Sequence, residues 1–258
     1  MSTSDEQAGR PMDEKRAQPF AGPARSDDPP GGHRVRPLTR PAILAAALEI
    51  IDRDSVERLS MRRLGSRLGR DPAALYRHAA TKAVLLDGVT EFVFEQLTVD
   101  SADPDWRHQL RVVARDFRRL AVAHPHVVPL LITHPLVTPL GLRPPGTLRP
   151  LERILDLLTR ADFSGSDALH IYRALFGFLY GHVLNELQEI VDRPEETTDL
   201  LRLGLHRLPI GEFPLLRGLA AQLAAYDGDA ELERGLDTLL AGLDITLAPA
   251  TAPQEYPE

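Results

Sequence analysis

The sequence predicts an all-α fold, and three observations carry that expectation. Aromatic residues make up only 5% of the 258 positions, Leu and Ala are abundant, and no long β-branched run occurs, a composition that favours helices over sheets. Apolar residues recur at helical spacing along most of the chain. Capping residues followed by Pro, or closing residues followed by Gly, punctuate these runs where helix starts and stops belong. With 43% apolar residues, the chain can build a proper core as one large or two small domains.

Residues 1–35 are rich in Pro, Gly, Ser, Asp and Arg and have no apolar period, so they are expected to be a disordered tail, as are residues 249–258. Thr39, Arg40 and Pro41 then start a helix in which Ile43, Ala47, Ile50 and Ile51 share a face up to about Asp54. Ser60 caps a second helix, Met61 to Leu68, which Gly69 ends. Asp71 caps a third, with Pro72 at its first position, running to about His78, and Thr81 caps a fourth from Lys82. The second and third helices fall well below the roughly 12 to 15 residues that marginal independent stability requires, so they must pack together. A long helix followed by two short ones around the tight Gly69-Arg70-Asp71 turn predicts a helix-turn-helix.

The remainder reads as a helical bundle, giving about nine to ten helices in all. Trp106, Leu110, Val113, Phe117 and Leu120 mark one helix; Leu151, Ile154, Leu155 and Leu158 mark another, and six prolines between Pro125 and Pro145 break the stretch between them. From Ser166 to about Val191 runs the most apolar helix, with Tyr172, Leu175, Phe176, Phe178, Leu179 and Tyr180 nearly all the way round. Phe213, Leu216, Leu219 and Leu223 mark the next. Leu232, Leu236, Leu239 and Leu243 then step by four, three and four, the spacing of a short coiled-coil seam. Gly177 and Gly181, one turn apart, allow another helix to approach closely. Together with the leucine seam they predict a homodimer interface, and a monomer that buries both seams internally is the alternative.

Charge is distributed unevenly. The whole chain carries -7, which disfavours indiscriminate binding to a polyanion. Yet Arg34 to Lys82 holds eleven basic against five acidic residues, while from Ala83 onward fifteen Arg face twenty-six Asp and Glu. A basic block followed by an acidic body is the layout of a chain that touches phosphate at one end only. The absence of Cys excludes disulfides, thiolate nucleophiles and zinc-finger ligand sets. The first 33 residues lack a secretory h-region and no stretch approaches the roughly 18 apolar residues of a membrane span, so the chain is expected to be cytoplasmic, with no membrane partner. The 28 Arg against 2 Lys point to a GC-rich bacterial genome.

Leu75-Tyr76-Arg77-His78-Ala79-Ala80-Thr81-Lys82 resembles the tetracycline-repressor family of bacterial regulators, whose recognition helix and following helix read L-Y-x-H-F-x-x-K. Ala46 to Ile51 is similar to that family's first helix and Leu59 to Leu64 to the opening of its second, so the likeness runs without gaps from about Leu38 to Val89. Ala161 to Leu184 is similar to the family's ligand domain. Two positions depart from the pattern: Ala79 replaces the usual aromatic after the His, and Ser55 replaces the Gly that ends the first helix.

The resemblance implies a DNA-binding part at 36–85 and a ligand-binding and dimerisation part at 86–248. It puts Tyr76 and His78 on the phosphate backbone and Lys82 at a helix start that favours phosphate, contacts that set position and not sequence. Arg62 matches a position that reads a base edge, Arg77 is a second candidate, and the small Ala73 and Ala74 let the helix sit deep, with Arg40 and Met61 completing the DNA-facing set. The expected effector is a hydrophobic small molecule lined by Phe92, Phe117, Leu130, His134, Phe176, Tyr180 and Asn185. In the tetracycline repressor a His and a Glu help hold a magnesium-drug chelate; their counterparts fall near Leu130 and at Asn185, which argues against that ligand. No cofactor or metal is expected.

Two other classes remain as alternatives. A metal-dependent helical enzyme would draw on His124, His126 and His134, but residues 124–140 contain no carboxylate to converge with them, and no nucleophile elbow, phosphate loop or HExxH occurs. A helical protein-interaction module accounts for the apolar seams and leaves the basic block unexplained.

Overall fold

The computed structural model describes residues 38–100, 102–137, 142–189 and 202–247, with the backbone alone at 133–137 and 188–189. The two expected disordered tails therefore lie outside the described residues. Among the described residues the secondary structure is helical: α1 (Arg40–Asp54), α2 (Met61–Leu68), α3 (Pro72–Leu75), α4 (Lys82–Phe94), α5 (Trp106–Ala123), a 3-10 turn (Pro125–Val127), α6 (Val128–Val137), α7 (Pro145–Arg160), α8 (Gly165–Glu189), α9 (202–207), α10 (Pro214–Gly218), α11 (Ala220–Ala224) and α12 (Gly228–Thr246).

The head is built from α1 to α3 and the first turn of α4, which continues into the body. Each helix starts on a side-chain cap: Thr39 Oγ1 accepts from Ala42 N, Ser60 Oγ from Arg63 N, Asp71 Oδ1 from Ala73 N and Thr81 Oγ1 from Val84 N, which satisfies amides that have no partner inside the helix. Ile43, Ala47, Ile50 and Ile51 of α1 are buried with Leu64 of α2, Leu75 of α3 and Leu85 of α4, as the periodicity predicts. The α2–α3 turn depends on two glycines. Gly69 takes φ 62, where a side chain is strained. At Gly65 a Cβ would stand 2.7 Å from the Arg70 carbonyl, so only Gly lets the turn close onto α2.

The third helix is shorter than expected. It ends at Leu75, and residues 76–78 continue as a hydrogen-bonded turn in which the His78 and Ala79 amides both donate to the Leu75 carbonyl. At the end of α1, Ser55 takes φ 113 and ψ 166, a conformation that is essentially glycine's own. The strain expected from replacing Gly at this position is therefore present.

In the body, α5 runs alongside α8 and α12 under α7. Trp106 meets Phe163 edge-on at 5.1 Å. Along α5, Arg107, Arg111, Arg115 and Arg118 pair with Asp244, Asp237, Glu233 and Asp229 of α12, an order that shows the two helices to be antiparallel. Arg118 also reaches the buried Glu186 of α8 with two nitrogens, at 2.9 and 2.5 Å. The prolines break the chain less than expected: Pro129 fits the first turn of α6, and α7 begins on Pro145 and continues through Pro150.

The leucine seam is corrected by its packing. Leu232, Leu236 and Leu243 are buried inside the protomer, together with Leu240 and not with the half-buried Leu239. The helix packs on α5 and α8, because the body needs that stripe for its own core. The helix predicted around Phe213 to Leu223 is split into α10 and α11, and Leu215, Leu216, Leu219 and Leu223 stay exposed.

Two stability tests follow from these environments. Ser55→Gly is expected to stabilise the chain by about 1 kcal/mol, the strain relieved at a positive-φ position, read as a shifted denaturant midpoint. It gives up the exposed Ser55–Glu57 hydrogen bond of 2.6 Å; an unchanged or lower midpoint contradicts the strain. His182 is buried between α8 and α12, and that burial lowers its pKa below the ordinary 6.5, with Glu186 opposing. The folded state thus binds this proton less readily than the unfolded chain, so its stability is present above pH 6.5 and declines as pH falls below it. Calorimetry between pH 7 and 5 should show a smaller fall in Tm for His182→Gln than for the parent chain.

Candidate nucleic-acid interface

The arginines of α2 and of the turn after α3 differ in their partners. Arg63 pairs with Asp54 at 2.5 Å and Arg67 with Glu49 at 2.6 Å, so their charge is neutralised against α1. Arg62, at the start of α2, and Arg77, just after α3, are exposed, and no carboxylate pairs with either among the described residues. Beside Arg77 stand His78 and Tyr76, the latter with 52% of its surface exposed. A large aromatic left in solvent at the end of a recognition helix fits a surface that closes on a partner. Ala73 is exposed and Ala74 half-buried, so no bulky side chain holds α3 away from a groove floor.

Three predicted members are placed differently. Met61 is corrected: it is buried in the head's core, where its stripe with Leu64 takes it, and its side chain does not face DNA. Arg40 is exposed but donates to the mostly buried Glu91 of α4 at 2.9 Å, tying α1 to α4. Lys82 Nζ donates to the carbonyls of Val56 and Glu57 at 3.0 and 3.4 Å. The ammonium thus braces the α1–α2 connection, with a third proton left to point outward.

The effector candidates cluster in part. Tyr172, Phe176 and Tyr180 form a ladder along α8 at 4.7 and 5.7 Å between ring centres, and Phe117 of α5 meets Phe176 at 6.0 Å and Tyr180 at 5.7 Å. Burial raises the pKa of both tyrosines, while the Arg143 guanidinium pulls each the other way, so both phenols remain protonated donors. Leu130 is buried and Phe92 half-buried on the same core, and the side chain of His134 lies outside the described residues. Asn185 is corrected. It is exposed on the other side of α8, because five residues beyond Tyr180 the helix has turned through well over a full turn. Sequence reasoning left Tyr172 and Arg143 out; the i, i+4, i+8 spacing with Phe176 and Tyr180 was the signal for the first.

Asn185 lines a groove of about 820 Å³ with Gly177, Gly181, Leu223, Tyr226 and Gly235. A Cβ on Gly177 or Gly181 would meet nothing within 4 Å, so these two residues form an open face of α8. The histidines proposed for a metal do other work: His124 and His126 both bond to Asp52. Among the described residues no group of three or more His, Cys, Asp or Glu converges, and no helix is long and apolar enough to cross a membrane.

A helix-turn-helix with an exposed, unneutralised basic edge, carried on a larger helical body, defines a DNA-binding regulator. Comparison with known proteins is more specific. Residues 43–89 match the bacterial regulatory proteins of the tetR family, and residues 100–247 match the tetracyclin repressor-like C-terminal domain. An HTH-type transcriptional regulator of Saccharopolyspora erythraea is 32% identical over 83% of this chain and 88% of its own. The class C tetracycline repressor protein of Escherichia coli is 31% identical over 80% of this chain and 91% of its own. The Streptomyces coelicolor TetR family protein ActR, in its complex with actinorhodin, superimposes with a TM-score of 0.66 at 30% identity, over 80% of this chain and 97% of that one. The chain belongs to the TetR family of transcriptional regulators; it is not an enzyme.

The division among the arginines is testable. Arg62→Ala is expected to weaken binding to a DNA fragment selected from a random pool by about 1–3 kcal/mol and to relax preference at one base pair. Arg67→Ala, which removes a charge already paired, should change affinity by less than about 1 kcal/mol. Fluorescence anisotropy at fixed salt measures both, and equal losses would contradict the division.

Proposed function

We propose that this regulator is a cytoplasmic homodimeric repressor that binds a palindromic operator and releases it when a hydrophobic small molecule binds the body. The head spans residues 36–85 and the effector and dimerisation region residues 86–248. Tyr76, His78 and Lys82 hold phosphates, Arg62 and Arg77 read base edges, and Ala73 and Ala74 sit on the groove floor. The observation that carries the reading is the pair of exposed arginines, Arg62 and Arg77, without carboxylate partners among the described residues, beside Arg63 and Arg67, which are paired with Asp54 and Glu49 of α1.

The effector's class is supported by the ladder of Tyr172, Phe176 and Tyr180 with Phe117. A cluster of tilted and edge-on aromatic rings with two protonated phenols favours an aromatic molecule bearing oxygen acceptors. The ActR complex with actinorhodin supports the same class. A dimer is supported by the open face at Gly177 and Gly181, by the exposed Leu223 that lines the same groove, and by the further exposed Leu184, Leu215, Leu216 and Leu219. That much exposed apolar surface is unusual on a monomer. Dimer symmetry then demands two half-sites about one or more turns of DNA apart.

Selection from random DNA by the purified chain is expected to return an inverted repeat. Tyr76→Ala with Lys82→Ala should weaken its binding to all sequences alike and flatten the salt dependence. A selection with no enriched motif, or a double variant that binds as the parent does, contradicts the reading. Gly181→Glu, which sets a charge on the open face, is expected to give monomers by sedimentation and to lower operator affinity about 100-fold, since two linked half-sites bind together.

A further inference from the structure

The end of α1 is held by two side chains of the body. His124, the residue that closes α5, brings Nδ1 to 2.9 Å from Asp52 Oδ2, and His126, in the 3-10 turn, brings Nδ1 to 2.8 Å from the Asp52 carbonyl. A carbonyl and a carboxylate only accept, so both rings carry hydrogen on Nδ1. The Asp52 carbonyl lies in the last turn of α1, where the helix offers it no amide, because the chain leaves at Ser55. His126 therefore caps a helix of the head from outside it.

Three features make this contact more than packing. Pro125 restricts the backbone between the two histidines, and the turn they occupy runs without a break into α6 at Val128. The first residues after it, Val127 and Val128, are fully buried, and Leu130 of the effector core follows. A displacement of α6 thus cannot leave His124 and His126 in place. Finally, Asp52 Oδ1 is buried with no hydrogen-bond partner. A buried acceptor left unsatisfied is costly, so opening the contact re-solvates that oxygen and offsets part of the two bonds lost. The contact is made, and it is poised to open.

We propose that His124 and His126 are positioning residues that latch the end of α1 to the start of α6, so that the state of α6 and the orientation of the DNA-binding head are linked. The inference rests on reading α1 to α3 as the operator-binding head. Coupling of this kind is reciprocal, so it can be measured from the DNA side with no effector in hand.

The test is amide hydrogen exchange on the full chain, free and bound to the operator fragment selected from random DNA. It compares the parent with His124→Leu/His126→Leu, and with His124→Asn/His126→Asn, whose amide nitrogens take the place of Nδ1. In the free protein the leucine pair should raise exchange over the last turn of α1 about tenfold, with the asparagine pair near the parent. On operator binding, the parent and the asparagine pair should slow exchange in α6, and the leucine pair should lose that response. If the leucine pair leaves the end of α1 as protected as in the parent, or keeps the operator response in α6, the latch is wrong. Should the chain select no operator, the DNA reading fails on its own, and exchange at the end of α1 still decides the latch.

Discussion

A four-residue helix has no stability of its own, and the arrangement of the head follows from that. Residues Pro72–Leu75 are helical because Leu75 is wholly buried in the head's core, because Asp71 caps the first turn, and because Gly65 and Gly69 let the preceding turn close onto α2. Remove the buried face of α1 and neither α2 nor α3 remains a helix. The surface proposed to meet DNA is therefore the outside of a core made elsewhere, which leaves the exposed Tyr76, Arg77 and His78 free of any packing duty.

Electrostatics sorts the same residues. An acidic chain can bind DNA only if its positive potential is local, and the ion pairs arrange this. Arg63 and Arg67 are paired with α1, while four arginines of α5 are matched against the acids of α12. Most of these pairs are exposed and add little stability. Their larger effect is on where charge is left over: on α2 and just after α3 it is left at Arg62 and Arg77. The Arg118–Glu186 pair differs, since Glu186 is buried and the pair joins α5 to α8 while Asp229 ties it to α12.

Much of this was legible in the sequence. Caps at Thr39, Ser60, Asp71 and Thr81 and the stripe of α1 placed the starts of the first four helices, since local capping and periodicity decide those boundaries, while α3 ends three residues before the expected His78. The spacing from Leu75 to Lys82 identified the family before any coordinate. What sequence could not resolve was which side of a helix meets which neighbour. Met61 and Arg62 are adjacent, and one is core while the other faces out. Leu239 and Leu240 likewise exchanged places in the seam, because a heptad pattern is satisfied equally by the protomer's own α5 and α8 and by a second chain. Asn185 fell on the open face for the same reason. The link between Asp52 and the two histidines joins positions 72 and 74 residues apart, and no local pattern announces it.

The body thus does two things with one set of helices. It buries the leucines of α12 and the aromatics of α8 within the protomer, and it keeps Gly177, Gly181 and the leucines of α10 and α11 on the outside. The head stands on this body through Arg40 and Glu91 and through the end of α1. On the proposed reading, α3 enters the major groove with Arg62 as a reader of bases and with Arg63 and Arg67 held back. A crystal structure of the full chain on its selected operator tests it most directly. The expected result is α3 in the groove, the Arg62 guanidinium within hydrogen-bond distance of a base edge, and Arg63 and Arg67 still paired with Asp54 and Glu49. An α3 outside the groove, or a head that touches DNA through Arg63 and Arg67 while Arg62 points to solvent, would contradict it.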